Sequence, residues 1–502
     1  MNAFLEIVEK VNAYINDIVW GWPVIILILG TGLLLSIRTR FLQVRKFGNS
    51  WATTIIPTVK SIGKKKAHVD GVKTVSQFEA FSAAISGTVG TGNIIGVVAA
   101  ILTGGPGAVF WMWVSAFFGM VTNYAENVLG LYYRRKSAGG DFSGGPFYYI
   151  TYGLRWKWLG YVAAVFCVLA AISMSGVQTN KISGTLSDTL GQAFQIDNML
   201  TLKLIVGICV AVLAGAIILG GIKRIGKVAS MLVPFMSLLF MGMALFAIFT
   251  HVTAIPAAFG MIFADAFDFG AAAGGIFAYG LAQTIKKGMA RGVFSNEAGL
   301  GSSVIAHSAS ETREPVKQGL WGVFEVFFDT FIICTLTALM FLTTTDIGSF
   351  TGSEGDTAMS LGMFSSNFGV FGTVTIAIIL PLFAFTTIMA WSYYGEKATE
   401  FCFRRFGAKA QKVAVIVFKV LYILLIVASA VIESDLAWAI SDTANGLMAI
   451  PNLIAVIGLS GLVWRITKNY YDRKKGIKVK PMLSAYDDLN EEFEQQLANE
   501  ES

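Results

Sequence analysis

Apolar runs of about the length that crosses a bilayer recur eleven times in the 502-residue chain, at residues 19–37, 78–103, 108–133, 158–177, 202–220, 228–249, 270–285, 321–343, 368–394, 413–432 and 436–464. A helix needs roughly 20 mostly apolar residues to span the hydrocarbon layer. Only α-helices or closed barrels satisfy their backbone groups there, and runs this long specify helices. With 55% hydrophobic and 14% charged residues, the composition lies outside the range of soluble domains. The expected fold class is an all-α polytopic membrane protein of about eleven transmembrane helices.

Arg38, Arg40, Arg45, Lys46, Lys60, Lys64, Lys65, Lys66 and Lys73 all follow the first run. That polarity is the reverse of a secretory signal, and it puts the segment after the run in the cytoplasm. The N-terminus is therefore outside and, after eleven crossings, the C-terminus inside. Expected inside loops then carry Arg134, Arg135 and Lys136; Lys223, Arg224 and Lys227; Lys286, Lys287 and Arg291; and Lys397, Arg404, Arg405 and Lys409. The expected outside loops 183–201, 251–269 and 344–367 contain no Lys or Arg. The net charge of +6 is thus a cytoplasmic rim and gives no reason to propose nucleic acid. Residues 41–62 mix Trp51, Ile55 and Ile56 with bases, as an interfacial helix would. The tail "DDLNEEFEQQLANEES" reads as disordered or loosely helical. Four scattered cysteines without CxxC spacing suggest neither disulfides nor zinc.

The second run contains "SGTVGTGNIIG", poor material for a helix: Gly87, Gly90, Gly92 and Gly96 have no side chain, and Thr88, Thr91 and Asn93 are polar. Residues 87–93 fall roughly 15 Å from either face, at the bilayer midplane. Broken helix at that depth must line a cavity or be buried in protein. Its free amides attract anions and its free carbonyls attract cations. The alternative is close helix packing through small residues, but packing needs no amide such as Asn93.

With the first run set aside, the remaining ten divide into five and five. The counterpart of run 78–103 is run 270–285, which opens "GAAAGGIFAYGLAQTIKKG" with Gly274, Gly275 and Gly280 around Phe277 and Tyr279. Because five is odd, the halves enter from opposite sides, the topology of an inverted repeat. The expected organisation is residues 1–77 for the extra helix and interfacial segment, 78–250 for the first repeat, 270–465 for the second and 466–502 for an acidic cytoplasmic tail.

"GTVGTGNIIG", "GGPGAVFWMWVSAFFG" and "RGVFSNEAGLGSS" together resemble the alanine or glycine:cation symporter family, whose members have the leucine-transporter fold. The resemblance spans residues 78–464. It implies ten core helices after one N-terminal helix, a multi-pass protein of a bacterial or archaeal cell membrane, and import of small neutral amino acids with Na+ as coupling ion. It further implies that the substrate carboxylate meets Thr88, Gly90, Thr91 and Gly92, with Asn93 and Gln178 as polar contacts. The ammonium would face the second broken helix near Gly274 and Gly275, with Phe277 capping the pocket and Trp391 walling it. Na+ would lie among Ser86, Val89, Phe383, Thr386 and Thr387, five oxygens suited to a hard monovalent ion. As bare residues, adjacent threonines in a spanning helix more often bond back to their own helix. Some relatives prefer glutamine, so pocket size stays open, as does proton coupling.

Glu126, Glu325 and Asp329 lie within runs, where ionisable groups mark relays, gates or helix–helix hydrogen bonds. Lys419 is expected to snorkel towards the cytoplasm. An enzyme finds no support: His68, His251 and His307 are far apart and no HExxH or GxSxG occurs. The dinucleotide-like glycines lack a strand-turn-helix unit. A channel would be expected to show repeated carbonyl or charged rings.

Overall fold

The computed structural model describes residues 2–61, 74–137, 141–267, 276–345, 355–432 and 434–501. Its helices, in chain order, are α1 (Asn2–Val19), α2 (Trp22–Arg38), α3 (Leu42–Arg45), α4 (Phe47–Thr53), α5 (Ile55–Ser61), α6 (Gln77–Thr88) and α7 (Ile95–Gly104). There follow α8 (Ala108–Tyr132), α9 (Pro146–Tyr152), α10 (Lys157–Phe194), α11 (Met199–Ile218), α12 (Gly221–Thr250), α13 (Ile255–Ala266) and α14 (Ile276–Asn296). The rest are α15 (Ser303–His307), α16 (Pro315–Val326), α17 (Thr335–Thr344), α18 (Asp356–Phe403), α19 (Ala408–Ser429), α20 (Ser434–Lys474) and α21 (Asp487–Glu501). A two-stranded cytoplasmic hairpin pairs Arg135 with Ser143 and Lys136 with Phe142.

Among the described residues, nine helical stretches are long and apolar enough to cross a membrane. The two remaining expected crossings are α6–α7, broken into two short helices, and α14–α15, whose long first helix carries Lys286, Lys287 and Arg291. Long α10 packs along α18 and α20, while α14 and α16 pack along α8.

Four expectations need correction. The first crossing is preceded by α1, which lies along α20: Asn16 Nδ2 donates to Thr443 Oγ1 at 3.1 Å and the Trp20 indole N–H to the Asp442 carbonyl at 2.9 Å. The expected interfacial helix is three short pieces, α3 to α5, held by ring contacts; Trp51 meets Phe324 at 5.1 Å and Phe47 meets Phe327 at 4.8 Å. The tail is the ordered helix α21, whose Leu489 and Phe493 pack with Phe142 and Leu483. Finally, Lys286, Lys287 and Arg291 do not form an inside loop. They belong to α14, where Lys287 lies against Gly104 at the outer end of α7, and Arg291 pairs with Asp442 near the outer start of α20 at 3.1 Å. A charged helix face turned towards other outer-end groups reads, in sequence, like the end of a span.

Candidate substrate and ion site

Helix α6 starts on a capping box: Ser76 Oγ accepts from the Glu79 N–H at 3.2 Å, and Glu79 Oε2 accepts from the Ser76 N–H at 2.8 Å. It ends at Thr88. Val89 leaves helical geometry (φ −78°, ψ 89°), Gly90 is extended (φ −133°, ψ −157°), Thr91–Asn93 make a single 3-10 turn, and α7 resumes at Ile95. The Asn93 side chain replaces a lost backbone partner, its Oδ1 accepting the Gly90 N–H at 2.8 Å. The Thr91 hydroxyl donates to Gln178 Oε1 at 3.0 Å, and the Thr91 N–H points to the same oxygen at 3.5 Å. Thr88 returns its hydroxyl to the Ile85 carbonyl at 3.1 Å.

Two of the glycines are close-approach positions. A Cβ on Gly90 would sit 2.6 Å from Thr387 Oγ1, and one on Gly92 would sit 3.3 Å from the Phe294 ring. The first break and the middle of α18 therefore touch through Gly90 and Thr387. Thr386 and Thr387 both donate to the Phe383 carbonyl, at 2.9 and 3.0 Å, and Ser86 donates to the Ala83 carbonyl at 2.8 Å. These hydroxyls bond back to their own helices, Thr387 beside Gly90 and Thr386 also 3.8 Å from Met236 Sδ of α12.

The expected second interruption lies largely outside the described residues, and a further departure from helix follows later in the chain. Gly274 and Gly275 fall outside the described residues, and Phe277 lies within α14, which runs unbroken to Asn296. Among the described residues the chain leaves helix at residues 297–302, where Glu297 (φ 55°), Gly299 (φ 96°) and Gly301 (φ 73°) take left-handed conformations before α15. Phe294, one turn earlier, is the aromatic ring beside Gly92 and stacks on Trp438 at 4.9 Å. Glu297 joins the two breaks: its Oε1 accepts the Trp391 indole N–H at 2.9 Å and lies 3.3 Å from a Cβ placed on Gly87, while Oε2 accepts from Ser302 at 2.5 Å. Trp391 is thus anchored at the junction of the breaks. Neither Phe294 nor Glu297 was singled out from sequence, although both stand in "RGVFSNEAGLGSS", which repeats the glycine-plus-polar signature of the first break.

The intramembrane acids form helix-to-helix links. Asp329 sits in a π-helical stretch, Phe327–Cys334, a widened turn of a kind frequent at functional sites. Its Oδ1 accepts from Asn93 Nδ2 at 2.6 Å, and its Oδ2 from Ser295 and Thr330, each at 2.9 Å. Thr337 donates to the Asn93 carbonyl at 2.8 Å. Glu325 Oε2 lies 2.7 Å from His307 Nε2, and Glu126 Oε1 accepts the Gly299 N–H at 3.1 Å and a close bond from Asn452. Lys419 is in an ion pair with Glu396 at 2.9 Å. Ser86, Thr88, Val89, Thr91, Asn93, Gln178, Phe383, Thr386, Thr387 and Trp391 are each at most 3% exposed, so these groups are all buried within the protein.

The chain has counterparts among known proteins. The model of the sodium:alanine symporter family matches residues 5–483. The sodium/alanine symporter AgcS of Methanococcus maripaludis is 37% identical over 473 residues, covering 94% of this chain and 99% of that one. The probable sodium/glutamine symporter GlnT of Bacillus subtilis is 35% identical over 474 residues, covering 94% and 93%. Among solved structures, MhsT in complex with L-phenylalanine superposes with a TM-score of 0.57 at 15% identity, over 79% of this chain and 99% of that chain, a likeness of fold. A match over nearly the whole length, on two interrupted helices that meet at a buried polar centre, places the chain in the sodium:alanine symporter family.

Proposed function

We propose that the protein imports alanine or glycine together with Na+ by alternating access, with the substrate bound between the two helix interruptions. The observation that carries this reading is the first break, where extended Gly90 brings the Thr91 amide to Gln178 and the Gly90 backbone to Thr387. A substrate carboxylate would meet the amides of Gly90, Thr91 and Gly92, as anions do at the start of a half-helix. Gln178 and Asn93 would orient it. Phe294 would help limit the space for the side chain, because its ring faces Gly92.

Na+ travels as co-substrate. The hydroxyls of Thr386 and Thr387 with carbonyls from Ser86, Val89 and Phe383 form a neutral oxygen set, fitted to a monovalent cation rather than Ca2+. The interrupted pairs move as one body with α8, α16 and α17, since Asp329 ties α17's π-helical approach to Asn93 and Ser295, Asn123 donates to Ser303 at 3.1 Å, and Arg134 donates to the Ser308, Ser310 and Thr312 carbonyls at 2.6 to 3.1 Å. Rocking of that bundle would change which side the site faces.

The test is uptake of labelled alanine into proteoliposomes under an inward Na+ gradient, compared with K+ and with a pH gradient, using glycine and glutamine as competitors. Uptake that requires Na+ and is blocked by glycine supports the proposal. Block by glutamine alone would retain the Na+ site and assign a larger substrate, the reading favoured by kinship with GlnT. Uptake driven by pH without Na+ would overturn Na+ coupling.

A further inference from the structure

The N-terminal helix α2 lies outside the ten-helix core. At its cytoplasmic end, a cavity of about 280 Å³ opens between the α2–α3 corner and the last turns of α20. Six cationic side chains line it: Arg38, Arg40, Arg45, Lys46, Lys468 and Lys475. The lining holds one carboxylate, Asp472, and two large rings, Trp464 and Tyr471. None of the six forms an ion pair with a carboxylate among the described residues. Four cations elsewhere on the rim are paired, Lys136 with Glu492, Lys397 with Asp141, Lys419 with Glu396 and Arg473 with Glu314.

The cavity is held open by its own backbone. Arg40 (φ 58°) and Phe41 (φ 54°) are consecutive left-handed residues that are not glycine, a conformation that persists only where the surroundings enforce it. The Phe41 N–H closes on the Ser36 carbonyl at 2.6 Å, so the chain turns sharply and carries Arg40 and Arg45 to the side of α20. Arg38 is fixed across the gap by a 2.8 Å bond to Ser460, and Lys46 lies 4.7 Å over the Tyr471 ring. Beside the opening, Ile37, Phe41 and Val44 are 60%, 41% and 57% exposed, apolar surface at the level where helix α2 leaves the membrane.

We propose that this cavity binds the phosphate headgroup of an anionic phospholipid of the inner leaflet, with its acyl chains along Ile37, Phe41 and Val44. Unpaired cations are complementary to a phosphodiester, and basic pockets between helices on the cytoplasmic side hold anionic headgroups. The adjoining apolar strip distinguishes a lipid from a free anion. Bound lipid would pin α2 to α20 and thereby give the extra helix a role as a lipid-dependent brace of the core.

The test measures the thermal unfolding midpoint of the purified full-length protein in detergent, titrated with short-chain phosphatidylglycerol, phosphatidylcholine or inorganic phosphate. Phosphatidylglycerol is expected to raise the midpoint where the other two do not. The triple variant Arg45→Gln/Lys468→Gln/Lys475→Gln should weaken the apparent affinity at least about tenfold. Removing three charges elsewhere on the cytoplasmic rim, in Arg405→Gln/Lys409→Gln/Lys412→Gln, none of which lines the cavity, should leave it within about twofold. Equal weakening in both triples would reduce the cluster to ordinary rim charge and overturn the site. Stabilisation by phosphatidylcholine would overturn headgroup recognition, and stabilisation by inorganic phosphate alone would overturn the lipid. If the first triple fails to fold, Lys468→Gln alone, expected to weaken affinity about fivefold, decides the same question.

Discussion

Thr387 Oγ1 occupies the space that a side chain at residue 90 would need. Gly90 sits at an ordinary extended φ, so Gly90→Ala meets no backbone strain and its whole effect comes from that contact. The substitution should destabilise the protein by about 1–3 kcal/mol, as overpacking does, and abolish alanine uptake. Adding Thr387→Ala should restore the thermal midpoint, because it removes the crowding oxygen, but should not restore Na+-driven uptake. Thr387→Ala or Thr386→Ala alone should raise the Na+ concentration for half-maximal uptake about tenfold, the loss of roughly one oxygen contact, with expression unchanged. Unaltered Na+ dependence in both would remove these hydroxyls from the ion site. Asp329 makes a different prediction. Asp329→Leu strands the donors of Asn93, Ser295 and Thr330, each costing about 1–3 kcal/mol when buried, so unfolding should be severe; Asp329→Asn keeps an acceptor for Asn93 and should fold. Thermal midpoints of the two variants separate these outcomes.

Single helices show the same logic with more atoms. Helix α21, acidic and polar enough to read as a loose tail, docks because Phe493 and Leu489 find Phe142 and Leu483, while Arg134 lies 4.0 Å over the Phe142 ring. Phe493→Ala should therefore release α21 at a cost of about 3 kcal/mol, visible as new proteolytic cleavage between residues 477 and 501 while the transmembrane helices stay protected. The neighbouring loop is clipped to α18 by Asp141 and Lys397 at 2.7 Å. Burial pushes the Asp141 carboxyl up, but the Lys397 charge, that hydrogen bond and Ser137 outweigh it and hold it below the usual carboxylate value. A depressed folded-state value means the clip is fully present above the unfolded pKa and is lost as pH falls through the folded one. Asp141→Asn should lower the thermal midpoint at neutral pH, a loss of about 1.5 kcal/mol of stability, with the difference shrinking below the ordinary carboxylate range and vanishing only below the depressed folded-state value.

At the scale of the whole molecule, Arg291 of α14 meets Asp442 of α20, and Lys181 of α10 meets Asp356 at 3.6 Å and Thr357 at 2.6 Å, links that in the proposed alternating-access cycle would help close the outer side. Arg291→Gln should loosen that closure and slow uptake severalfold at saturating alanine, with Arg291→Asp/Asp442→Arg partly restoring it. The eleven crossings were legible in the chain because a bilayer leaves a spanning segment few choices, and the first break was legible because glycines and one amide stand together in an apolar run. Phe294 and Glu297 were not. The charges of Lys286, Lys287 and Arg291 looked like the end of a span, and only folding brings Arg291 to Asp442, extends α14 past those charges and opens the chain again at residues 297–302. The order of α21 was equally invisible, since its partner Phe142 lies some 350 residues away in sequence. Hydropathy and local backbone preference act along the chain, so the sequence by itself determined the membrane class, the number of crossings and the first interruption. Which carboxylate faces which amide, where the second helix opens and which cations stay unpaired depend on contacts between distant segments, and those the tertiary structure alone decided.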